Sequence, residues 1–306
     1  ECTSSALAVL SKRKIDVVFL SRLGNFRYRL SCRGGSHAIL KLAQFQASSS
    51  TQFALSLATS FVKGKVANQR RLLLRRQRKL QDDELASDIC RLRMVLDQIT
   101  SISNINSLNG MEGLAASLYF NHFHKLVGNS ELPFRGRSRR PPLDPINACL
   151  SFGYTMFQNI VESELLARGF EPSVGFLHQP HDGRSSLTLD LLEEFRPLVD
   201  SLVLRLVNRG QLTPMDFEYH SGKTLEEILS TEFDMNAPME TTSTGCFLNS
   251  NGRKVFLAAF FSRLREKAFF APRQISIDLR SIVREQVQHL ARVIEQKEMV
   301  YEPFVI

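Results

Sequence analysis

The chain has 306 residues, of which 43% are hydrophobic and 23% charged, which is typical of a globular protein with a full buried core. The sequence excludes a membrane-spanning helix, because no apolar run approaches the roughly 18 residues that such a helix needs. Its five scattered cysteines, without a CxxC pair, fit a reducing cytoplasm and argue against a disulfide framework or a thiolate zinc site.

The first 46 residues are predicted to be the remnant of a small β domain. Asp16–Leu20 and Phe26–Ser31 have the composition and alternation of strands. The chain starts at Glu1 without an initiator methionine, so we expect a piece of a longer polypeptide. After Gln44 the composition changes to Ala, Ser, Gln and Thr, which predicts a linker and a domain boundary between residues 46 and 47.

Residues 47–306 are predicted to form a large, mostly α-helical domain, so the expected fold class is α+β. We expect helices at Ser50–Leu80, 82–99, Ser107–Val127, Pro145–Gly169, Ser185–Gly210, Arg253–Phe270 and Ser276–Gln296. Pro197 should end or kink the helix that contains it, because proline has no backbone N–H. A β-like patch at Cys246–Asn249 precedes Asn251 and Gly252, a pair typical of a hairpin turn.

Two basic runs dominate the positive charge, which totals +8 over the chain. Between Phe61 and Leu80 there are eight Lys and Arg residues and no acid, and a run of four arginines precedes a Pro-Pro pair further on. We interpret these runs as a surface that holds DNA phosphates, with a solvated helix face and a basic loop as the alternative. The residues assigned to DNA binding are Lys63, Lys65, Arg70, Arg71, Arg75, Arg76, Arg137, Arg139 and Arg140.

The helix predicted at Ser107–Val127 carries a carboxylate in its apolar stripe. At 100° per residue, Leu108, Ala115 and Tyr119 fall within about 60° of Glu112. A buried carboxylate without a partner costs several kcal/mol and would rather protonate. Glu112 therefore needs a metal ion, a shared proton or a basic residue, and a structural ion pair remains an open alternative.

A loop histidine and an acidic helix follow later in the chain. His178 lies in the loop, and three acids are spaced so that they share one side of the next helix, namely Asp190, Glu193 and Glu194. The pattern suggests a bound cation, while an exposed histidine and acids that face water explain it about as well. His178, His181 and Asp182 also form H-x-x-H-D, but a non-haem iron triad belongs on the strands of a β-barrel and this half of the chain is helical.

Two carboxylates and an imidazole around one divalent ion would form a site for Mg²⁺ or, because of the nitrogen ligand, Mn²⁺. Beside a basic surface, such an ion can neutralise a phosphodiester, activate a hydroxyl nucleophile and stabilise the charge of the transition state. The sequence contains no Walker A loop and no GxGxxG, GxSxG or HExxH motif that would indicate another chemistry.

Four stretches resemble one known family: KGKVANQRRLLLRR, MEGLAASLYF, RSRRPPLDPINACLSFGYTMF, and GFEPSVGFLH with SLTLDLLEEFRP. The family is the CRISPR-associated endonuclease that serves as the integrase subunit of spacer acquisition, and the likeness extends from about Ser4 to the closing YEPF. The resemblance implies that Glu112, His178 and Glu193 are the catalytic residues and the ligands of Mg²⁺ or Mn²⁺. It implies that Asp190 is an auxiliary acid.

The resemblance also implies partners. We expect a symmetric homodimer that joins a small ferredoxin-like CRISPR adaptation subunit, in the cytoplasm of a prokaryote and associated with the nucleoid. Such a complex inserts a short prespacer DNA into a repeat array by attack of its 3′-hydroxyl ends on phosphodiesters, without any membrane. The family has further strands before Ser4, which leaves open a fused domain such as a reverse transcriptase.

Two other functions fit the same residues. A non-catalytic helical DNA-binding scaffold would use the acids in ion pairs. A general nuclease of branched DNA would use the same metal site on a different substrate.

Overall fold

The computed structural model describes residues 2–13, 15, 17–20, 26–30, 37–129, 131–139, 141–220 and 245–306. Its helices are α1 (Ser4–Lys12), α2 (Ala38–Ser49), α3 (Thr51–Leu80), α4 (Asp83–Gln98), α5 (Ile105–Asn121), α6 (Phe123–Leu126), α7 (Pro145–Arg168), α8 (Ser186–Leu192), α9 (Arg196–Asn208), α10 (Ser250–Arg265) and α11 (Leu279–Ile294). Within these ranges the strands form antiparallel pairs, β1 (Val17–Leu20) with β2 (Phe26–Leu30), β3 (Phe217–His220) with β4 (Gly245–Leu248), and β5 (Lys267–Phe270) with β6 (Ile275–Asp278). The predicted α+β class with a mostly helical main part is confirmed.

The 30-residue helix α3 is the central element of the core. It begins where the Ser50 hydroxyl accepts a hydrogen bond from the Phe53 N–H, and it ends where Gln81 takes the left-handed conformation. α3 packs against α4, α5 and α9 and buries Phe61 and Leu73 along its length. Because α3 is enclosed on several sides, its few buried polar residues face several elements at once.

The predicted linker after Gln44 is wrong. Gln44 lies in α2 and is completely buried. Its amide donates to the carbonyls of Glu171 at 2.9 Å and Val174 at 2.8 Å, and its oxygen accepts from the Glu171 N–H at 2.9 Å. The segment that follows is helical, since α2 ends at Ser49 and α3 begins at Thr51, so its composition does not mark a linker. The division into residues 1–46 and 47–306 passes through α2, and the domain boundaries remain a prediction.

The turn predicted at Asn251 and Gly252 is also wrong. Both residues lie in the first turn of α10, where the Asn249 side chain accepts hydrogen bonds from both N–H groups at 3.0 Å. The β-like patch before them is confirmed as β4. The last residues of the helix predicted at Arg253–Phe270 form β5, because they pair with β6.

Pro197 breaks its helix as predicted. α8 ends at Leu192, a 3₁₀ turn spans Glu193–Phe195, and α9 begins at Arg196. The 3₁₀ turn provides i→i+3 backbone hydrogen bonds at a place where Pro197 has no N–H to donate to a regular α-helix. The side chains of Glu193 and Glu194, which are adjacent in this turn, point to different parts of the structure. Among the described residues, no helix has the length and apolar character to cross a membrane.

Candidate functional site

Glu112 and Glu193 converge on one side chain, Lys65. The Lys65 ammonium lies 2.5 Å from Oε2 of Glu193 and also contacts Oε1 of Glu112. The three residues come from α3, α5 and the turn between α8 and α9. The side chains of Lys65 and Glu193 are 7% and 5% exposed, and that of Glu112 is 25% exposed. Two of the predicted metal ligands therefore meet at a single cation position. The ion pair with Lys65 also provides the partner that Glu112 needs in the apolar stripe of its helix.

Lys65, which is predicted to bind a DNA phosphate, is buried in this ion pair, and the DNA contact stays a prediction. A buried ammonium needs compensating charge, since burying it alone costs several kcal/mol. α3 approaches the Glu193 turn closely because Gly64, the preceding residue, has no side chain. A Cβ at Gly64 would lie 2.9 Å from the Cβ of Glu194 and 2.6 Å from the Cβ of Pro303. Lys65 is therefore an internal ion-pair residue that reaches the edge of a cleft.

Glu193 is held as an anion. Its Oε1 accepts a hydrogen bond from Nε of Arg196 at 2.8 Å. Burial raises the pKa of Glu193, but Arg196 and Lys65 outweigh burial and lower that pKa to about 2. Oε2 of Glu193 is buried and, within the described part of the chain, has the ion pair with Lys65 but no aligned hydrogen bond. One oxygen of this carboxylate thus has a cation as its sole partner among the residues described.

Asp190 fixes the orientation of His178. Its buried carboxylate accepts hydrogen bonds from the N–H groups of Phe176, Leu177 and His178 and from Nδ1 of the His178 ring, the last at 2.7 Å. Because Nδ1 carries the proton of that bond, Nε2 of a neutral ring presents its lone pair. For Nε2 the described residues provide no hydrogen-bond partner. Asp190 therefore positions the loop and the His178 ring, and its role as an auxiliary acid stays a prediction.

The three acids of the predicted acidic face do not share one face. Asp190 points into the His178 loop and Glu193 toward Lys65. Glu194 points the other way, where it accepts from the Tyr301 hydroxyl at 2.9 Å and from the Phe304 N–H at 2.8 Å. Burial raises the pKa of Glu194 to about 8 against these hydrogen bonds. All three acids are buried, so the alternative that they face water is excluded.

A basic cleft of about 210 Å³ opens beside the ion pair. Its cationic wall consists of Lys65, Arg137, Arg139 and Arg196. The guanidinium carbons of Arg137 and Arg196 lie 5.6 Å and 5.0 Å from the centroid of the Tyr154 ring, which places both cations on the aromatic ring. Gln69 and Ser151 line the same cleft, and neither Gln69 Oε1 nor Ser151 Oγ has a hydrogen-bond partner among the described residues. Such a cleft suits a small polyoxygenated anion.

Below the cleft, a buried carboxylate anchors Tyr154. The Tyr154 hydroxyl donates to Oδ1 of Asp200, and the Tyr119 hydroxyl donates to Oδ2 at 2.9 Å. Burial raises the pKa of Asp200 to about 6 although both hydroxyls and the nearby arginines favour its charged form. Burial likewise raises the pKa of both tyrosines well above the usual value. The phenol ring that carries the arginines is therefore rigidly held from beneath.

The other residues predicted to bind DNA lie in different settings. Arg71 and Arg75 are exposed on α3, and Lys63 is half-buried. Arg70 and Arg76 donate through Nε to the carbonyls of Ile89 at 3.2 Å and Lys125 at 2.7 Å, so each is tied to a neighbouring helix. Arg139 is exposed at the cleft, whereas Arg137 is half-buried and bonds to Asn147. Arg140 lies outside the described residues.

The predicted set of Glu112, Glu193 and His178 offers the right donors for Mg²⁺ or Mn²⁺, two carboxylates and an imidazole nitrogen. Glu112 and Glu193 come together, whereas the contact recorded for the His178 ring is with Asp190. Within the described ranges, no group of three or more His, Cys, Asp or Glu side chains is arranged to hold a metal ion. The three-ligand site therefore stays a prediction, supported by the shared cation position and by the buried Oε2 of Glu193.

Sequence reasoning missed two residues of this site. Arg196 follows Glu193 by three positions, a spacing at which opposite charges pair on a helix, and this signal was readable. Tyr154 carried no signal, because its place beside the arginines depends on how α7 packs against α9.

Comparison with known proteins places this chain among relatives. The model of a family described as CRISPR associated protein Cas1 matches residues 1–234. The CRISPR-associated endonuclease Cas1 2 of Rhodospirillum rubrum is 35% identical over 301 residues, which are 95% of this chain and 80% of the relative.

Solved structures share the fold. A Cas1 protein from Thermotoga maritima superposes with a TM-score of 0.75 at 25% identity, over 98% of this chain and 84% of the other. A chain of a Cas6-RT-Cas1–Cas2 complex superposes with a TM-score of 0.79 at 24% identity, over 99% of this chain but only 31% of the other, much longer one.

Proposed function

This chain belongs to the CRISPR associated protein Cas1 family, and from that premise we propose that it is a divalent-metal-dependent DNA integrase and nuclease of CRISPR adaptation. Its relatives are named CRISPR-associated endonucleases. The observation that carries the proposal is the convergence of Glu112 and Glu193 on one cation position at the edge of a basic cleft. An acidic pair that attracts a cation beside a wall of arginines is what phosphodiester chemistry requires.

Each residue of the site has a role in this proposal. Glu112, Glu193 and Nε2 of His178 would hold Mg²⁺ or Mn²⁺, with Asp190 keeping the His178 ring in the tautomer that leaves Nε2 free. Such an ion supplies charge neutralisation of the phosphodiester and activation of the attacking 3′-hydroxyl. Arg196, fixed by Glu193 and by the ring of Tyr154, would bind a phosphate oxygen at the same place.

The DNA path extends beyond the cleft. Arg139 at its mouth and the exposed Arg71 and Arg75 on α3 are available for backbone phosphates. Lys63 is partly available, and Arg70 and Arg76 retain free guanidinium nitrogens beyond their Nε bonds. These residues would bind without regard to sequence, because phosphate contacts carry no base information.

The partners are proposals of the same kind. We propose a homodimer that works with a small ferredoxin-like adaptation subunit, since one chain of similar fold belongs to a complex with Cas2. The same complex contains a reverse transcriptase fused to the Cas1 part, so a fused domain fits this chain as well. The expected location is the prokaryotic cytoplasm, at the nucleoid.

A strand-transfer assay with Mn²⁺, a short DNA and a repeat-containing target tests the proposal. Glu112→Gln, His178→Ala and Glu193→Gln should each reduce joined product by at least about a hundredfold, because each removes a proposed ligand. Glu131→Gln, a change of the same type at an exposed position, serves as the control and should retain activity. Wild-type activity in any of the first three variants would remove that residue from the catalytic set.

A second candidate function has one observation in its favour. The ion pairs of Lys65 with Glu112 and Glu193 are what a non-catalytic DNA-binding scaffold would contain. That scaffold would bind DNA equally with Mn²⁺ or EDTA and would neither cut nor join it. A general branched-DNA nuclease, in contrast, would act equally well on an unrelated duplex and on a repeat-containing target.

A further inference from the structure

We infer that Lys65 is an internal counter-ion which a divalent cation must displace from Glu112 and Glu193, so that the metal and an anionic phosphodiester enter the site together. The inference rests on the proposed function for the existence of the metal site. It assigns to Lys65 a role in addition to the DNA-phosphate contact expected from its place in the basic run.

The contacts of Lys65 define a cation position that is already filled. Its ammonium touches Oε1 of Glu112 and lies 2.5 Å from Oε2 of Glu193. These are oxygens that the proposed metal would use. A second cation cannot share both oxygens with an ammonium at such distances, because like charges that close repel strongly in a buried site. Metal binding and this ion pair therefore exclude each other.

The charges of the site are balanced without a metal. Glu112 and Glu193 contribute two negative charges, and Lys65 and Arg196 contribute two positive charges at contact distance. A divalent cation added to these four side chains leaves an excess of two positive charges, of which the buried carboxylate of Asp190 behind a neutral His178 offsets one. That excess makes binding of the metal alone unfavourable.

The adjacent cleft provides the compensating anion. Lys65 and Arg196 both line it, together with Arg137 and Arg139. Oγ of Ser151, which has no hydrogen-bond partner in the part of the chain that the structure describes, can donate a hydrogen bond to an oxyanion. The Lys65 side chain is long and flexible, so its ammonium can leave the carboxylates and still remain beside an anion in the cleft. A phosphodiester there would make metal binding favourable, and by linkage the metal would tighten binding of the phosphodiester.

A purely structural role for Lys65 predicts the opposite result. If Lys65 only joins α3 to α5 and to the Glu193 turn, its loss should disorder the carboxylates and weaken metal binding. If Lys65 is a competing counter-ion, its loss should leave Glu112 without a cation and Glu193 with Arg196 alone, and metal binding should become stronger. The sign of the change in metal affinity distinguishes the two roles.

The experiment measures Mn²⁺ binding to the full chain by electron paramagnetic resonance, with and without a thymidine tetranucleotide as the source of phosphodiesters. In the wild type the oligonucleotide should tighten Mn²⁺ binding about tenfold or more. Lys65→Met and Lys65→Gln should bind Mn²⁺ about tenfold more tightly than wild type without oligonucleotide, and the effect of the oligonucleotide should largely disappear. Lys79→Met, an exposed change of the same charge on α3, should behave as the wild type does.

The inference is overturned if both Lys65 variants fold, as judged by circular dichroism, and bind Mn²⁺ no more tightly than Lys79→Met. If neither variant folds, a wild-type Mn²⁺ affinity that is unaffected by the tetranucleotide overturns it equally. Mn²⁺ binding to Glu112→Gln distinguishes failure of the Lys65 inference from failure of the proposed function. Mn²⁺ binding that depends on Glu112 keeps the metal site even when Lys65 proves irrelevant, whereas no Mn²⁺ binding in any protein or condition removes the site itself.

Discussion

The side-chain amide of Asn68 donates a hydrogen bond of 2.9 Å to the backbone carbonyl of Glu194. Asn68 is completely buried on α3, one turn beyond Lys65. The same amide group also donates to the Phe304 carbonyl at 2.9 Å, and its oxygen accepts from the Ile306 N–H at 2.8 Å. The Asn68 side chain therefore joins α3 to the C-terminal segment and to the turn that carries Glu193. These hydrogen bonds keep Glu193 close to Lys65.

Asn68→Ala is expected to destabilise the protein by about 2–4 kcal/mol, because two buried carbonyls and one N–H lose their partner. Urea unfolding measures the change, with Asn121→Ala, at an exposed position of α5, as the control. If the variant unfolds with the wild-type midpoint, the C-terminal segment does not support the site. In a folded variant we expect strand transfer to fall as well, since Glu193 loses its support.

Gly64→Ala should also destabilise, by about 1–3 kcal/mol, because its Cβ would lie 2.6 Å from the Cβ of Pro303. Gly113→Ala on α5 is the matched control. A Cβ at Gly113 meets nothing within 4 Å, and alanine favours a helix over glycine by about 1 kcal/mol. The two substitutions should shift the thermal midpoint in opposite directions. A stabilising Gly64→Ala would contradict the close packing of α3 on the C-terminal segment.

Asp200 should make the free energy of unfolding depend on pH. Burial raises its pKa to about 6 in the folded protein, while the unfolded chain has the ordinary value near 3.8. Between these two pKa values the folded state binds more protons than the unfolded state. The contribution of Asp200 to the free energy of unfolding therefore falls as the pH rises from about 4 to about 6, and it is constant at higher pH. The total fall is about 3 kcal/mol.

Asp200→Asn removes that titration and keeps an oxygen acceptor between Tyr119 and Tyr154. The unfolding free energy of wild type minus that of Asp200→Asn, measured in urea from pH 4 to pH 7, should therefore decrease by about 2 kcal/mol, which is most of the total. Taking the difference cancels the other titrating carboxylates. A difference that does not vary with pH would mean that Asp200 has an ordinary pKa.

Arg71→Gln and Arg75→Gln should weaken binding of duplex DNA. Each lost phosphate contact should reduce the slope of log affinity against log salt by about 0.9. Fluorescence anisotropy at several salt concentrations measures the slope, with Arg280→Gln, an exposed change on α11, as the control. Equal slopes in all three variants would place the DNA path elsewhere.

Local patterns predicted much of this protein. Helical periodicity and caps predicted most helices of the main part, and the missing N–H of Pro197 predicted the break before α9. The apolar stripe of α5 indicated that Glu112 needs a partner. These features depend on neighbours within about four residues along the chain, so the order of residues is enough to determine them.

Tertiary packing alone decided which partner each charge has. Glu112 and Glu193 find Lys65 because α3 is enclosed by α5 and the turn after α8, and no spacing along the chain encodes that meeting. The 3₁₀ turn at Glu193–Phe195 separated acids whose spacing fits one face, and hydrogen bonds to the loop at Glu171 and Val174 buried Gln44 at the start of a linker-like segment that is helical. Contacts between distant segments depend on the shapes of whole elements, because a buried charge is stable only where the completed fold supplies its partner.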